Sequence, residues 1–157
     1  MSSTAQQSDE WGSLELVSAP LIEAGELVTV HLRYIAGTAG LAPGGTVSIT
    51  TTSDSDWAPP QLADPAADGF LKAAPPPDCA VSVHTPDHKS IVVTLQSGKL
   101  QSGDAIDIVL GDRSGGGLGL RAQTFYEPRR YFHCEVDPTG SGKHGAARSA
   151  VLQIAGG

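Results

Sequence analysis

The residues best suited to chemistry lie close together in the segment 121–130, which is rich in arginine and aromatic residues. The four candidates are Arg121, Tyr126, Arg129 and Arg130. A guanidinium group donates paired hydrogen bonds to a carboxylate or a phosphate, so this set could bind an anion. On alternate positions of a strand, the same residues could equally face solvent beside a sheet. We predict that they contact a ligand or a partner protein.

Trp57 and Gln61 form a second candidate contact point for a ligand or partner. Tryptophan offers a large apolar face and one hydrogen-bond donor, which suits an interface anchor. The alternative is that Trp57 packs residues 53–78 onto the rest of the protein. This segment is rich in Pro, Asp and Ala and has neither helical nor strand periodicity. Because its prolines cannot donate to a sheet ladder, we predict an ordered excursion across the surface.

Three other motifs that suggest chemistry are incomplete. His84 and His88 flank a turn, but no third ligand lies close in the chain, so we predict no metal site. Gly140-Ser-Gly-Lys143 lacks the first glycine and the final hydroxyl residue of a phosphate-binding loop. His133 and Cys134 are consecutive on a predicted strand, so they point to opposite faces and cannot form a catalytic pair. We therefore assign no catalytic residue to the chain.

The glycine-rich segment 115–119 does not match a dinucleotide-binding loop, because Leu120 stands in place of the last glycine. Glycine permits positive φ and close backbone approach. We predict a flexible loop tip here, with a flap that contacts a ligand or partner as the alternative.

Period-two apolar patterns predict the scaffold that would position these residues. The clearest run is 26–35, where apolar residues alternate with polar ones. We predict about eight or nine short strands and no amphipathic helix, in an all-β, antiparallel two-sheet sandwich of the immunoglobulin-like type. The predicted strands are 14–16, 26–35, 46–52, 80–85, 90–95, 105–111, 121–125, 131–136 and 150–154.

Length and composition indicate one domain. The chain has 157 residues, of which 19 are Gly and 11 are Pro, as expected of short strands joined by turns. We predict a flexible segment at 1–12 and a single domain at 13–157. No signal peptide and no apolar run of about 20 residues is visible, so we expect neither secretion nor a membrane span.

Charge and cysteine content narrow the classes of partner and the compartment. The net charge of -7 argues against nucleic-acid binding, which depends on Lys and Arg neutralising phosphates. The two cysteines, Cys79 and Cys134, do not make a disulfide framework, and we predict reduced thiols in a cytoplasmic protein. A bridge remains the alternative if the segments that carry them are neighbours.

A series of short motifs runs through most of residues 14–157. They are Leu41-Ala-Pro-Gly-Gly45, Asp56-Trp57, Pro60-Gln61, Asp64-Pro65, Leu100-Gln-Ser-Gly-Asp104, Gly111-Asp112, Gly119 with Arg121, Gln123-Thr124-Phe125 and Val136-Asp137. In this order they resemble the N-terminal region of a bacterial family of uncharacterised proteins, whose long members carry a polymerase-and-histidinol-phosphatase-like metal-dependent domain. The resemblance implies a β-sandwich that precedes such a domain. The metal-binding residues of that domain have no counterpart here, so a metal is expected only in a partner or a following domain, and no cofactor in this chain.

These observations favour a non-catalytic subunit or N-terminal module. It would pack against a larger metal-dependent hydrolase-like or lyase-like partner and shape its pocket with loops 53–78 and 112–130. The alternative is a small stand-alone enzyme or binding protein that holds an anionic small molecule under the same loops. A deep pocket lined by Arg121, Tyr126 and Arg129 would favour the alternative, and a flat apolar patch would favour a partner. An adhesion or carbohydrate-contacting module, with exposed aromatic residues stacked on sugar rings, is a third possibility, which the few aromatic residues make the weakest.

Overall fold

A computed structural model describes residues 10–51, 56–87 and 89–156. These ranges consist of strands, turns and irregular segments, and within them only Glu10 and Trp11 have helical conformation. No helix in this part of the chain is long and apolar enough to cross a membrane. The strands are β1 (Ser13–Leu16), β2 (Leu21–Glu23), β3 (Leu27–Val28), β4 (Val30–Ile35), β5 (Thr46–Thr50), β6 (Leu71–Ala74), β7 (Ala80–His84), β8 (Ser90–Ser97), β9 (Ala105–Leu110), β10 (Leu120–Arg121), β11 (Glu127–Asp137) and β12 (Gly145–Ala155).

Ten of these strands form one continuous sheet. Its order is β6-β9-β4-β1-β12-β11-β5-β8-β7, and β2 pairs with β12 beside this path. The two halves are joined where β1 and β12 pair in parallel, at Ser13 and Arg148. Strands β6 and β7, at the two ends of this order, approach each other but do not pair, so the sheet curls into a nearly closed barrel. Strands β3 and β10 form a separate two-stranded sheet.

The all-β prediction is confirmed, but the number of strands and their arrangement differ from the prediction. The sheet does not divide into two sheets, because the parallel contact between β1 and β12 bridges them. The predicted strand 26–35 breaks at Thr29, whose hydroxyl donates to the carbonyl of Gly111 (2.9 Å). Only Arg121 of the predicted strand 121–125 is in a strand. Residues 53–78 contain strand β6, which is too short for periodicity to reveal.

The core is formed by the inward faces of strands that alternation predicted well. In β4, Val30, Leu32 and Tyr34 are buried while their neighbours are half-buried. In β9, which pairs with β4, Ile106 and Ile108 are fully buried. Each such side chain contributes about 1.5–3 kcal/mol on burial. These buried side chains form the packed core that supports the loops.

Candidate functional site

Residues 56–70 and 112–126 lie together as one layer, which we call the cap. Two backbone hydrogen bonds connect its two segments, from Ala58 N to Arg121 O (3.1 Å) and from Gly69 N to Gly119 O (2.9 Å). Trp57 and Ala58 pack against the hydrophobic core. The cap therefore joins the excursion and the glycine-rich loop, which sequence analysis treated as separate features, and anchors both to the barrel.

Two carboxylates fasten the cap at its two ends. The Asp56 carboxylate accepts hydrogen bonds from the backbone N–H of Thr124 (2.8 Å) and from its hydroxyl (2.6 Å). These bonds hold the pKa of Asp56 below its usual value. At the other end, Asp68 accepts a bond from the N–H of Leu118 (2.8 Å). Because each bond joins residues far apart in sequence, the two segments hold each other in place.

The glycines of the loop allow its backbone to pack closely on the excursion. A Cβ atom at Gly117 would lie 2.5 Å from the carbonyl oxygen of Ala67, and one at Gly115 would overlap the carbonyl of Pro65. These two residues thus need glycine for space. The loop tip is therefore packed against the backbone of residues 65–67 at these two positions.

Gln61 uses its side chain within the cap. Its Nε2 donates to the carbonyl of Asp64 (2.6 Å), and its Oε1 accepts from the N–H groups of Ala63 and Asp64, each at 2.8 Å. The amide therefore stabilises its own turn. The predicted contact with a ligand or partner is untested, but the side chain already has a structural role.

Arg130 points into the protein, unlike its neighbour Arg129. It is 5% exposed, and its guanidinium donates to Gln123 Oε1 and to Thr51 Oγ1, both at 3.1 Å. Glu127 lies 3.6 Å from Nη1. Burial lowers the pKa of Arg130, and the Glu127 carboxylate opposes this shift. The cation is therefore neutralised inside the protein.

Trp57 covers the buried guanidinium. The carbon Cζ of Arg130 lies 5.2 Å from the centre of the Trp57 ring and 6.0 Å from that of Phe132, within cation–π range. A cavity of about 50 Å³ remains here, bounded by Trp57, Ala58 and Pro60 of the cap and by the barrel core. A small-molecule site typically measures roughly 300–1,000 Å³, so this cavity is much smaller.

The structure does not gather the other predicted contact residues around this cavity. Arg121 donates to the carbonyl of Gly25 (2.8 Å) and lines a different groove, of about 220 Å³, with Asp68. Tyr126 and Arg129 are exposed and do not line the 50 Å³ cavity. Of the six residues singled out from sequence, only Trp57 and Arg130 meet there. Gln123, which bonds to Arg130, is fully buried, and no pattern among its neighbours in the sequence indicates that burial.

The loop at 140–143 wraps around an acidic side chain of the protein itself. The Asp137 carboxylate accepts hydrogen bonds from the N–H groups of Gly140 (2.9 Å), Ser141 (3.2 Å) and Gly142 (2.8 Å). These bonds, that of Gly142 foremost, hold the pKa of Asp137 below its usual value. The amides of this loop that could otherwise donate to a phosphate are therefore already bonded to the Asp137 carboxylate.

His133 and Cys134 lie on opposite faces of β11, and Nδ1 of His133 lies 3.3 Å from the Ser149 hydroxyl. His133 faces outward, stacked on Tyr131 with ring centres 5.7 Å apart, and Cys134 faces the core. Burial raises the pKa of the Cys134 thiol to about 12. Both Cys79 and Cys134 are free thiols. His88 lies outside the described residues, and among the rest no group of three or more His, Cys, Asp or Glu residues could hold a metal ion.

An ion-pair cluster that sequence analysis did not predict joins β4 to β9. Asp107 Oδ1 lies 2.7 Å from Nε of Arg33 and 2.9 Å from Nε2 of His31. Burial alone would raise the pKa of Asp107, but the hydrogen bonds from Arg33 and His31 outweigh it and lower the pKa. The Ser18 hydroxyl accepts a hydrogen bond from the backbone N–H of His31 (2.9 Å). The cluster therefore has the character of a cross-strand tie, with no nucleophile in these contacts.

No protein-family model matches the chain, and no curated protein matches its sequence. Among solved structures, a cohesin module from a Clostridium perfringens ATCC13124 family 33 glycoside hydrolase is similar, with a TM-score of 0.52 and 9% identity over 92% of this chain and 97% of that one. AvmM, which catalyses macrocyclization in alchivemycin A biosynthesis, has a TM-score of 0.44 and 13% identity over 96% and 90%. AggA, the major subunit of aggregative adherence fimbriae type I from Escherichia coli, has a TM-score of 0.38 and 10% identity over 92% and 94%. The cohesin likeness shows a shared β-fold, and the other two are too distant to support an argument.

Proposed function

We propose that this chain is a non-catalytic subunit or module. It packs against a larger partner that carries a metal-dependent hydrolase-like or lyase-like site, and the cap forms part of the wall of that partner's pocket. The observation that carries the proposal is the cap itself, a layer fixed by hydrogen bonds that exposes apolar side chains.

Apolar side chains are exposed along both segments of the cap. Leu62 is 40% exposed, Leu118 62%, Phe125 42% and Tyr126 59%. Exposed apolar and aromatic groups that are rigidly held favour association, because little conformational entropy is lost on binding. These side chains suit a surface that becomes buried against a partner, with Tyr126 as an aromatic anchor.

The alternative, an anionic small molecule held under the loops, has less support. The buried cation of Arg130 is already matched by Glu127, and the cavity beside it is about 50 Å³. Arg121 is engaged with a backbone carbonyl. A substrate would have to displace these contacts or enlarge the cavity.

Two finer inferences accompany the proposal. We infer that the curled sheet is a variant of an immunoglobulin-like sandwich, supported by the predominance of antiparallel pairs, with parallel pairing only of β12 to β1 and to β2 in the described strands. We also infer a reducing, cytoplasmic location, supported by the two free thiols. The similar cohesin module belongs to a larger enzyme, which is the kind of relationship proposed for this chain.

The test is co-purification with the product of a neighbouring gene that encodes a metal-dependent hydrolase or lyase. We expect the wild-type chain to co-elute with it, and Tyr126→Ser and Leu118→Ser to weaken binding about tenfold each. Tyr131→Ser is the matched control, because Tyr131 is an exposed aromatic residue on β11 outside the cap. Failure of the wild type to bind any such product, or equal effects of cap and control variants, would contradict the proposal.

A further inference from the structure

The two edges of the ten-stranded sheet are protected to different degrees. At the β6 edge, the N–H of Leu71 donates to the carbonyl of Gln61 (2.9 Å), so the excursion covers part of the strand. β6 also carries Lys72 and is followed by three prolines at 75–77. Coverage, lysine and proline are the usual means by which an edge strand avoids pairing with another chain.

The β7 edge, residues Ala80–His84, lacks lysine and proline, although its pairing with β8 shifts register between Ala80 and Val81. β7 pairs with β8 on one side, and in the described part of the chain no backbone hydrogen bond of residues 80–84 goes elsewhere. The strand contains no Lys, Arg, Asp, Glu or Pro. Val81 and Val83 are only partly buried although they pack against the core. The edge thus offers both unpaired backbone groups and incompletely covered apolar side chains.

We propose that β7 pairs antiparallel with β7 of a second copy of this chain, which makes a twofold dimer with one sheet continuous across it. The sequence Val81-Ser82-Val83 is symmetric about Ser82. A twofold axis through Ser82 therefore places Val81 of one copy opposite Val83 of the other, on the inner face. Ala80 then meets His84, and no like charges are opposed.

A second copy fits this edge because the contact strand is uncharged in a chain that is otherwise acidic. The net charge of -7 repels two copies in general. On the outer face Ser82 neighbours Thr94 of β8 and receives a hydrogen bond from Gln96 (2.7 Å), so the zone near the axis is polar but neutral. The proposed pairing is argued from β7 and β8 alone and does not depend on the proposed function.

Sedimentation velocity of the full chain over a concentration series tests the dimer. A contact of one short strand is small, so we expect a dissociation constant on the order of 10–100 µM. Ser82→Lys places two positive charges opposite each other at the axis, on the exposed face where the monomer tolerates lysine, and is expected to weaken the dimer at least about tenfold. Thr94→Lys is the matched control, because it adds the same charge to the same face one strand away from the edge.

A charge-complementation experiment separates pairing at Ser82 from a general effect of surface charge. Ser82→Lys and Ser82→Asp should each be monomeric alone and should form a mixed dimer when combined. Wild-type protein that stays monomeric throughout, equal weakening by Ser82→Lys and Thr94→Lys, or a mixture that does not associate would each overturn the proposal.

Discussion

The Trp57 ring lies over the buried guanidinium of Arg130, 5.2 Å from its central carbon, and this contact joins the cap to the barrel interior. Trp57 comes from the excursion and Arg130 from the inner face of β11. Tryptophan provides both apolar cover and a favourable π face for a cation that has left water. This contact helps to hold the proline- and glycine-rich cap against the all-β core.

Removal of the buried cation should strongly destabilise the protein. Arg130→Met leaves Glu127 without its neutralising partner, and we expect a loss of about 3–5 kcal/mol in unfolding free energy, measured by urea denaturation. Arg129→Met is the matched control, because Arg129 is exposed one residue earlier, and it should change stability by less than about 0.5 kcal/mol. Similar losses for the two variants would show that Arg130 has no special structural role.

Substitution of a loop glycine should loosen the cap locally. Gly117→Ala puts a methyl group 2.5 Å from the carbonyl of Ala67 without a positive φ, and we expect a cost of about 1–3 kcal/mol. Hydrogen exchange of the Leu118 and Gly69 amides, which bond across the cap, should accelerate. Gly103→Ala is the control for backbone strain, since Gly103 has φ +93 in open space. It should lower stability and leave exchange in the cap unchanged.

The Asp137 carboxylate should make stability depend on acid pH. Its pKa is lower in the folded protein than in the unfolded chain, so its stabilisation is complete above the unfolded pKa and is lost as pH falls through the folded one. Asp137→Asn should therefore lower the thermal midpoint at neutral pH, and the difference from wild type should shrink below about pH 4. Glu15→Gln, which neutralises an exposed carboxylate, serves as the control. A difference that stays constant with pH would contradict the assignment.

The two thiols should differ in reactivity because they differ in burial. Cys134 is 2% exposed and its thiol pKa is raised to about 12, so the native protein should not be alkylated there by iodoacetamide at pH 8. Cys79 is partly exposed, and its pKa is also raised, so it should react slowly. Mass spectrometry of peptides distinguishes the two sites. Cys79→Ser should abolish native labelling, and rapid labelling of Cys134 before unfolding would refute its placement.

Alternation of apolar and polar residues in the sequence predicted strands of the core and the face of each strand that is buried. Val30, Leu32 and Tyr34 alternate with polar residues, and burial of one face follows directly from the two-residue period of a strand. The same period separates Arg129 from Arg130, but it does not say which of them faces inward. That choice depends on the register of β11 against β12, where the pairing shifts between Glu127 and Arg130.

The cap and the closure of the sheet could not be predicted in this way, because their contacts join residues far apart in the chain. Gly117 needs its small size only because Ala67 lies against it, and Thr124 bonds to Asp56 across a long stretch of chain. Likewise, β1 reaches β12 from the opposite end of the sequence. Alternation and turn residues specify which segments are strands, whereas long-range packing specifies which strands pair. The same long-range packing decides which arginines of segment 121–130 are buried and which are exposed.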